Sequence, residues 1–273
     1  MRFVKYSSSG NDFLIFQSFE RDNGGRSSLA KRVCERHNGI GADGMVVLLL
    51  EQDSKDSQDP KKYAYEWEFY NADGSKAKMC GNASRSIGHY AFVEGIAPRK
   101  HSFLSQAGII GITIDENDVS LVQSDLGAYK LVEEHIVESN PYGVKSWALL
   151  DSGVPHLVGF VNDKKMLTYS KDELLRGLRE KYNANVNLAY IDESSDRSRI
   201  LYMTYERGVE DITQACGTGA AAVFAMALRL GLCGKKALLI PPSNEILELQ
   251  MTENQHILFK GKVQRIAICE WLL

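Results

Sequence analysis

Two cysteines of this chain stand in the same setting. Cys80 lies in MCGNASRSIGHYAF (79–92) and Cys216 in ITQACGTGAAAVFAMALRL (212–230); each is followed at once by glycine and then by a helix-like run of small residues. A helix that starts there surrounds the sulfur with unpaired N–H groups and a partial positive charge, which favours the thiolate. The N–H groups of Gly81-Asn82 and Gly217-Thr218 can hold a carboxylate, and glycine lets the backbone come close to it. Two such helices directed at one carboxylate would place the sulfurs on opposite faces of its α-carbon. The thiolate then removes the α-proton, the thiol returns a proton to the other face, and the configuration inverts. Sulfur suits both tasks because each protonation state is accessible near neutral pH. The charge spreading into the carboxylate is stabilised by the converging N–H groups. Two plainer readings stay open. A cysteine before a small-residue helix is often a packed, inert thiol, the class to which Cys34, Cys233 and Cys269 are assigned. Cys80 and Cys216 can also be read as a regulatory disulfide pair.

The elements that must carry these residues come twice. SGNDFLIF (9–16) and SGVPHLVGF (152–160) both run from a Ser-Gly turn into a strand. SSLAKRVCERHNG (27–39), with its helix over 27–37, and KDELLRGLREKYNAN (171–185) read as helices by apolar spacing, each closing on His or Tyr followed by Asn. Strands follow in each half, MVVLLL (45–50) with YEWEFYN (65–71), and LAYI (188–191) with RILYMTYER (199–207). Both halves then reach Cys-Gly. The offsets are about 143, 145 and 136 residues, and the loop EQDSKDSQDPKK (51–62) accounts for the shortfall. Four matches in one order predict a duplicated α/β unit. The halves are set at 1–126 and 127–263, with a cleft expected where they meet and one Cys-Gly helix on each side of it. Segments 102–115 and 257–273 supply further strands, and duplication suggests that a terminal strand, 264–273, returns to the first half.

GIGADG (39–44) matches the Gly-x-Gly-x-x-Gly dinucleotide fingerprint in letters alone. That fingerprint needs a strand before it and a helix after it, because the helix N-terminus holds the pyrophosphate. Here a helix precedes and a strand follows, so the glycines are read as a helix cap and turn, with no nicotinamide or flavin site.

A length of 273 residues suits one large domain or two ordinary ones, and a formal charge of −3 gives no bias toward nucleic acid or an anionic membrane. Five cysteines without a C-x-x-C pair argue against a zinc ribbon or a disulfide framework. No signal peptide and no apolar run long enough to span a bilayer is visible. The expectation is a cytoplasmic protein without metal or cofactor.

SGNDF (9–13), FYNADGSKAKMCGNASR (69–85), GVPH (153–156), NVN (185–187) and YERGVEDITQACGTGAA (205–221) together resemble diaminopimelate epimerases over nearly the whole chain. The resemblance implies a pyridoxal-independent isomerase of lysine and peptidoglycan-precursor synthesis that takes LL-2,6-diaminopimelate to the meso form, in an α+β fold. Each half would be a mostly antiparallel sheet wrapped around a central helix. It makes Cys80 and Cys216 the acid/base pair, and Gly81, Asn82, Gly217 and Thr218 the carboxylate cradle. Asn11, Asn71, Asn187, Glu206 and Arg207 correspond to residues that grip the substrate, chiefly its distal end. His156 and Glu206 would tune the thiols. The physical chemistry agrees: Arg pairs bidentately with a carboxylate, and Asn and Glu order the distal ammonium. Turn-forming roles for Asn11 and Asn71, a surface pair for Glu206-Arg207 and a structural role for His156 are the plainer alternatives. A homodimer is implied by the resemblance alone.

Three departures stand out. Val154 replaces the family's usual Asn before Pro-His, Gly44 its frequent Gln, and Ala83-Ser84 the commoner Gly-Ala or Gly-Ser. They bear on substrate recognition and leave the cysteines untouched. Two rival readings are a proline or hydroxyproline racemase, whose substrate lacks a distal amino-acid end, and a non-catalytic, thiol-gated amino-acid-binding module.

Overall fold

The computed structural model describes residues 1–50, 62–167, 172–192 and 199–272. These form two compact units, Met1–Ser124 with Lys262–Leu273, and Asp125–Gly261. The loop invoked to account for the shorter third offset lies, but for Lys62, outside the described residues.

In the first unit β1 (Arg2–Ser8) turns into β2 (Asn11–Ser18), then follow α1 (Arg26–Cys34), β3 (Gly44–Leu49), β4 (Tyr65–Asn71), α2 (Gly81–Val93), the hairpin β5 (Lys100–Ser105) and β6 (Gly108–Ile114), and the start of β7 (Leu121–Ala128), whose residues from Asp125 on belong to the second unit. The second comprises β8 (Lys130–Ile136), β9 (Trp147–Asp151), β10 (Pro155–Phe160), α3 (Glu173–Tyr182), β11 (Asn185–Ile191), β12 (Arg199–Glu206), β13 (Asp211–Ile212), α4 (Gly217–Arg229), β14 (Lys236–Ile240), β15 (Leu247–Met251) and β16 (His256–Lys262). The last strand, β17 (Gln264–Glu270), pairs antiparallel with β1.

Strand directions repeat in order. β1/β2 is antiparallel, β2/β3 parallel across α1, β3/β4 antiparallel and β4/β5 parallel across α2. β9/β10, β10/β11 across α3, β11/β12 and β12/β14 across α4 follow the same sequence. The mostly antiparallel sheets therefore have their parallel pairs where a helix makes the crossover, as parallel neighbours require.

Two expected helices end differently. The helix read over 27–37 spans Arg26–Cys34, because Glu35 turns extended and its carboxylate accepts from the backbone N–H of His37 and Asn38. Ile40 and Gly41 donate to the Val33 carbonyl, so the GIGADG glycines close α1 and lead into β3. The helix read over 171–185 spans Glu173–Tyr182; Asp172 accepts from Leu174 and Leu175, and Asn183 stops it in the left-handed region at φ 48°.

Alternation along the strands sends side chains to two cores. Phe13, Ile15, Val46 and Leu48 pack with Ala83, Ile87 and Tyr90 of α2, while Leu14, Phe16, Met45 and Val47 pack with Ala30 and Val33 of α1. In the second unit Ile200 and Tyr202 join the face that carries α4, and Met203 and Tyr205 join Leu175 and Leu178 of α3. The central strands of each sheet are thus buried on both faces, and α2 and α4 are the central helices. Every residue of α2 from Gly81 to Ala91 is buried, which fits the small residues that dominate its start.

Candidate active site

Cys80 and Cys216 occupy matching positions. Each is the N-cap of a 13-residue helix, with extended backbone at φ −146°, ψ 119° and φ −119°, ψ 113°. The Cys80 carbonyl accepts from Ser84 N and the Cys216 carbonyl from Ala220 N, both at 2.9 Å, which opens the two helices. Gly81-Asn82 and Gly217-Thr218 therefore supply the first backbone N–H groups of α2 and α4, those that no preceding turn can satisfy. The other cysteines differ. Burial pushes the Cys34 thiol up to about 12 and that of Cys233 up to about 11, and Cys269 packs against the α1 core.

Around Cys80 the structure brings Asn11 and Asn82 together. Asn82 Nδ2 donates to Asn11 Oδ1 at 2.7 Å, and Asn11 Nδ2 donates to Asp43 Oδ2 at 3.0 Å. Arg85, one turn further along α2 and wholly buried, donates to Asn82 Oδ1 at 3.0 Å and to Ser9 Oγ at 2.7 Å. Asn71 stands apart from this chain: its amide donates to Ser75 Oγ at 3.0 Å within the turn that ends β4.

Around Cys216 the polar groups come from the sheet. His156 on β10 and Asn187 on β11 are both fully buried. Asn187 Nδ2 donates to the Leu157 carbonyl at 3.2 Å and lies 3.1 Å from His156 Nδ1, and Thr204 Oγ1 donates to Asn187 Oδ1 at 2.8 Å. A carbonyl only accepts, so the amide must turn its NH2 toward His156 Nδ1, which is then the unprotonated nitrogen. The proton sits on Nε2 and is donated to Thr218 Oγ1 at 2.9 Å; the Asn185 NH2, 3.4 Å from Nε2, only donates and makes no hydrogen bond with that N–H. Thr218 Oγ1, with its own proton to give, is 3.5 Å from Cys216 Sγ. Burial, with the Arg207 charge acting the same way, pushes His156 down to about 3, so it is neutral near pH 7. Gly219 makes this arrangement possible, since a Cβ there would fall 2.7 Å from both Asn187 Oδ1 and Thr204 Oγ1.

Glu206 and Arg207 sit at the end of β12. The Arg207 backbone N–H donates to Asn185 Oδ1 at 2.8 Å, and its guanidinium to the Asn183 carbonyl at 2.9 Å. Gly44 has no room for the family's Gln without displacement, as a Cβ would meet the Phe69 ring at 2.7 Å and the Tyr70 carbonyl at 2.8 Å.

Asp43, Arg85, Asn185 and Thr204 are parts of these networks that sequence reasoning missed. Two signals were present: the three-residue spacing of Asn82 and Arg85, which puts them on one helix face, and the alternation of Asn185 and Asn187, which puts them on one strand face. Among the described residues no cluster of three or more His, Cys, Asp or Glu is placed to hold a metal ion, and no helix is long and apolar enough to cross a membrane.

The chain is 47% identical over 281 residues to the diaminopimelate epimerase of Helicobacter pylori strain HPAG1, covering 98% of this chain and 95% of that one. Its fold is similar to that of a phenazine-biosynthesis protein of the PhzF family from Bacillus anthracis, at a TM-score of 0.74 and 11% identity over 100% and 99% of the two chains. It is also similar to that of a hydroxyproline epimerase from Agrobacterium vitis, at 0.67 and 13% over 98% and 91%. The family model for diaminopimelate epimerase matches residues 3–132 and 148–266. With its two Cys-Gly helix starts inside the matched segments, the chain belongs to the diaminopimelate epimerase family.

Proposed function

We propose that this protein epimerises diaminopimelate, interconverting the LL and meso forms with Cys80 and Cys216 as acid and base. The observation that carries the reading is the repeated setting of the two cysteines, each capping a buried helix with extended backbone and followed by glycine. Diaminopimelate as substrate rests on family membership.

In one direction a thiolate takes the α-proton and becomes a thiol, while the second thiol gives its proton to the opposite face and becomes a thiolate. No proton or electron is gained or lost, and the reverse reaction exchanges the roles. The electron pair left on the α-carbon spreads into the carboxylate, which the N–H groups of Gly81-Asn82 and Gly217-Thr218 hold. The reading needs no cofactor. Neutral His156 takes no proton itself; it orients the Thr218 hydroxyl toward Cys216 Sγ. Asn11, Asn71, Asn187, Glu206 and Arg207 are assigned to the distal amino-acid end, and Asn187 has the added task of fixing His156.

The test is proton NMR of the reduced protein in heavy water with LL-diaminopimelate, and with proline and glutamate in parallel. Loss of the α-proton signal with growth of the meso isomer is the expected result. Exchange on proline alone would keep the two-thiol chemistry and overturn the substrate. Binding of diaminopimelate without exchange would make the protein a binding module.

A further inference from the structure

We infer that Arg85 is a positioning residue of this reaction, fixing through Asn82 and Ser9 the direction in which Asn11 presents its amide. The inference deepens the epimerase reading and rests on it.

Arg85 is fully buried and is the one Lys, Arg, Asp or Glu of a helix whose residues from Gly81 to Ala91 are all buried. Placing a guanidinium there has a large desolvation cost, and a core filled with apolar groups would serve stability as well or better. Its partners point to another role. Nη2 donates to Ser9 Oγ and to Asn82 Oδ1. Ser9 is itself buried and lies in the left-handed region at φ 54°, with Gly10 at φ 83°, in the tight turn that leads into Asn11. Arg85 therefore holds Asn11 twice, through the turn that precedes it and through the amide that touches it.

The chemistry of the ends sets the sense of the chain. A guanidinium only donates, so Asn82 must turn Oδ1 toward Arg85 and Nδ2 toward Asn11. Asn11 then accepts on Oδ1 and must turn Nδ2 outward, where the Asp43 carboxylate only accepts. Reversing either amide would set donor against donor at Arg85 or oxygen against oxygen at Asp43. A cation at one end and an anion at the other leave one arrangement for both amides. Asn11, only partly buried, thereby presents its second N–H and its second lone pair in fixed places. The matching position of the second unit carries no such group: counted from the two cysteines, Ala221 of α4 corresponds to Arg85, and it is buried in an apolar core.

The experiment is a double-mutant cycle for diaminopimelate turnover, with Arg85→Lys, Asn11→Ala and the pair, and with Asp43→Asn to disturb the partly exposed far end. Arg85→Lys and Asp43→Asn should each raise KM about tenfold with kcat changed much less, and Arg85→Lys should add almost nothing once Asn11 is alanine. A KM unchanged in Asp43→Asn, or a loss in the double variant equal to the product of the single losses, would overturn the inference. If Arg85→Lys does not fold, the Asp43→Asn result decides. A wild-type protein that does not turn over diaminopimelate would instead overturn the epimerase reading and the inference with it, so the two failures are told apart.

Discussion

His156 shows how one side chain's surroundings fix its chemistry. The Leu157 carbonyl orients the Asn187 amide, the amide selects the tautomer, and the tautomer directs a proton at Thr218. Burial holds the ring neutral, with its pKa down to about 3, whereas an unfolded histidine takes up a proton near 6.5. The unfolded chain therefore binds one more proton between those values, and stability must fall as pH drops from about 6.5 toward 3. This single group contributes a slope of up to about 1.4 kcal/mol per pH unit. Urea denaturation of the wild type and of His156→Gln at pH 7, 6 and 5 measures it. The wild type should lose stability more steeply, and equal slopes would mean that the folded ring takes up its proton near the ordinary value. His89 and His101, also pushed down by burial, add the same slope to both proteins. At this scale the acid/base assignment is tested by Cys80→Ala and Cys216→Ala. Each should abolish α-proton exchange while leaving far-UV circular dichroism unchanged, and near-wild-type turnover in either would sink the two-thiol scheme.

The central helices face different neighbours although they start alike. The third residue of α4 is Gly219, against the Asn187–Thr204 pair; the matching residue of α2 is Ala83, in an apolar cluster with Val46 and Phe69. Gly219→Ala should gain up to about 1 kcal/mol of helix propensity yet lose about 1–3 kcal/mol to overpacking, for a net loss with impaired turnover. Ala83→Gly should lose about 1 kcal/mol or more, through propensity and the missing methyl together. Urea midpoints of the two variants check the pair, and a Gly219→Ala protein as stable as the wild type would show that α4 can lift off the sheet freely. These helices were legible in the sequence because Cys-Gly followed by small residues is a local signal, and YEWEFYN was legible as a strand by its alternation of aromatic and acidic residues. The end of α1 was not, since it depends on the Glu35 carboxylate competing for the next backbone N–H groups. The segment 102–115 proved to be a hairpin turning at Gln106-Ala107, a register that only the paired strands define. Contacts such as Asn11 with Asp43 or Arg85 with Ser9 join distant positions, and no local pattern announces them.

Over the whole molecule the two copies divide their polar groups in complementary ways. Strand register places Phe13, Val46 and Phe69 of the first unit opposite His156, Asn187 and Thr204 of the second. At these matched strand positions the first unit is apolar and the second polar, while on the helices Asn82, Arg85, Ser86 and His89 of α2 match Thr218, Ala221, Ala222 and Ala225 of α4. A duplicated fold diverged in this way retains its topology while giving each cysteine a different environment. Topology also explains the last strand. β8 precedes β9 and pairs with it, whereas the corresponding partner of β1 is β17, which comes from the other end of the chain. Met1 and Trp271 exchange backbone hydrogen bonds at 2.8 and 2.7 Å, so these positions are adjacent in space. A circular permutant that opens the chain between Lys262 and Val263 and joins Leu273 to Met1 by a short Gly-Ser linker would give the first unit the strand order of the second. It should fold and keep α-proton exchange, because it breaks no ladder and the linker has little distance to cover. A chain ending at Val263 should not, because β1 would lose its β17 partner and Glu94 its ion pair with Arg265. Thermal unfolding and NMR exchange on both chains decide the matter: an unfolded permutant, or a truncated chain as stable as the full one, would show that β17 is not the strand that completes the first sheet.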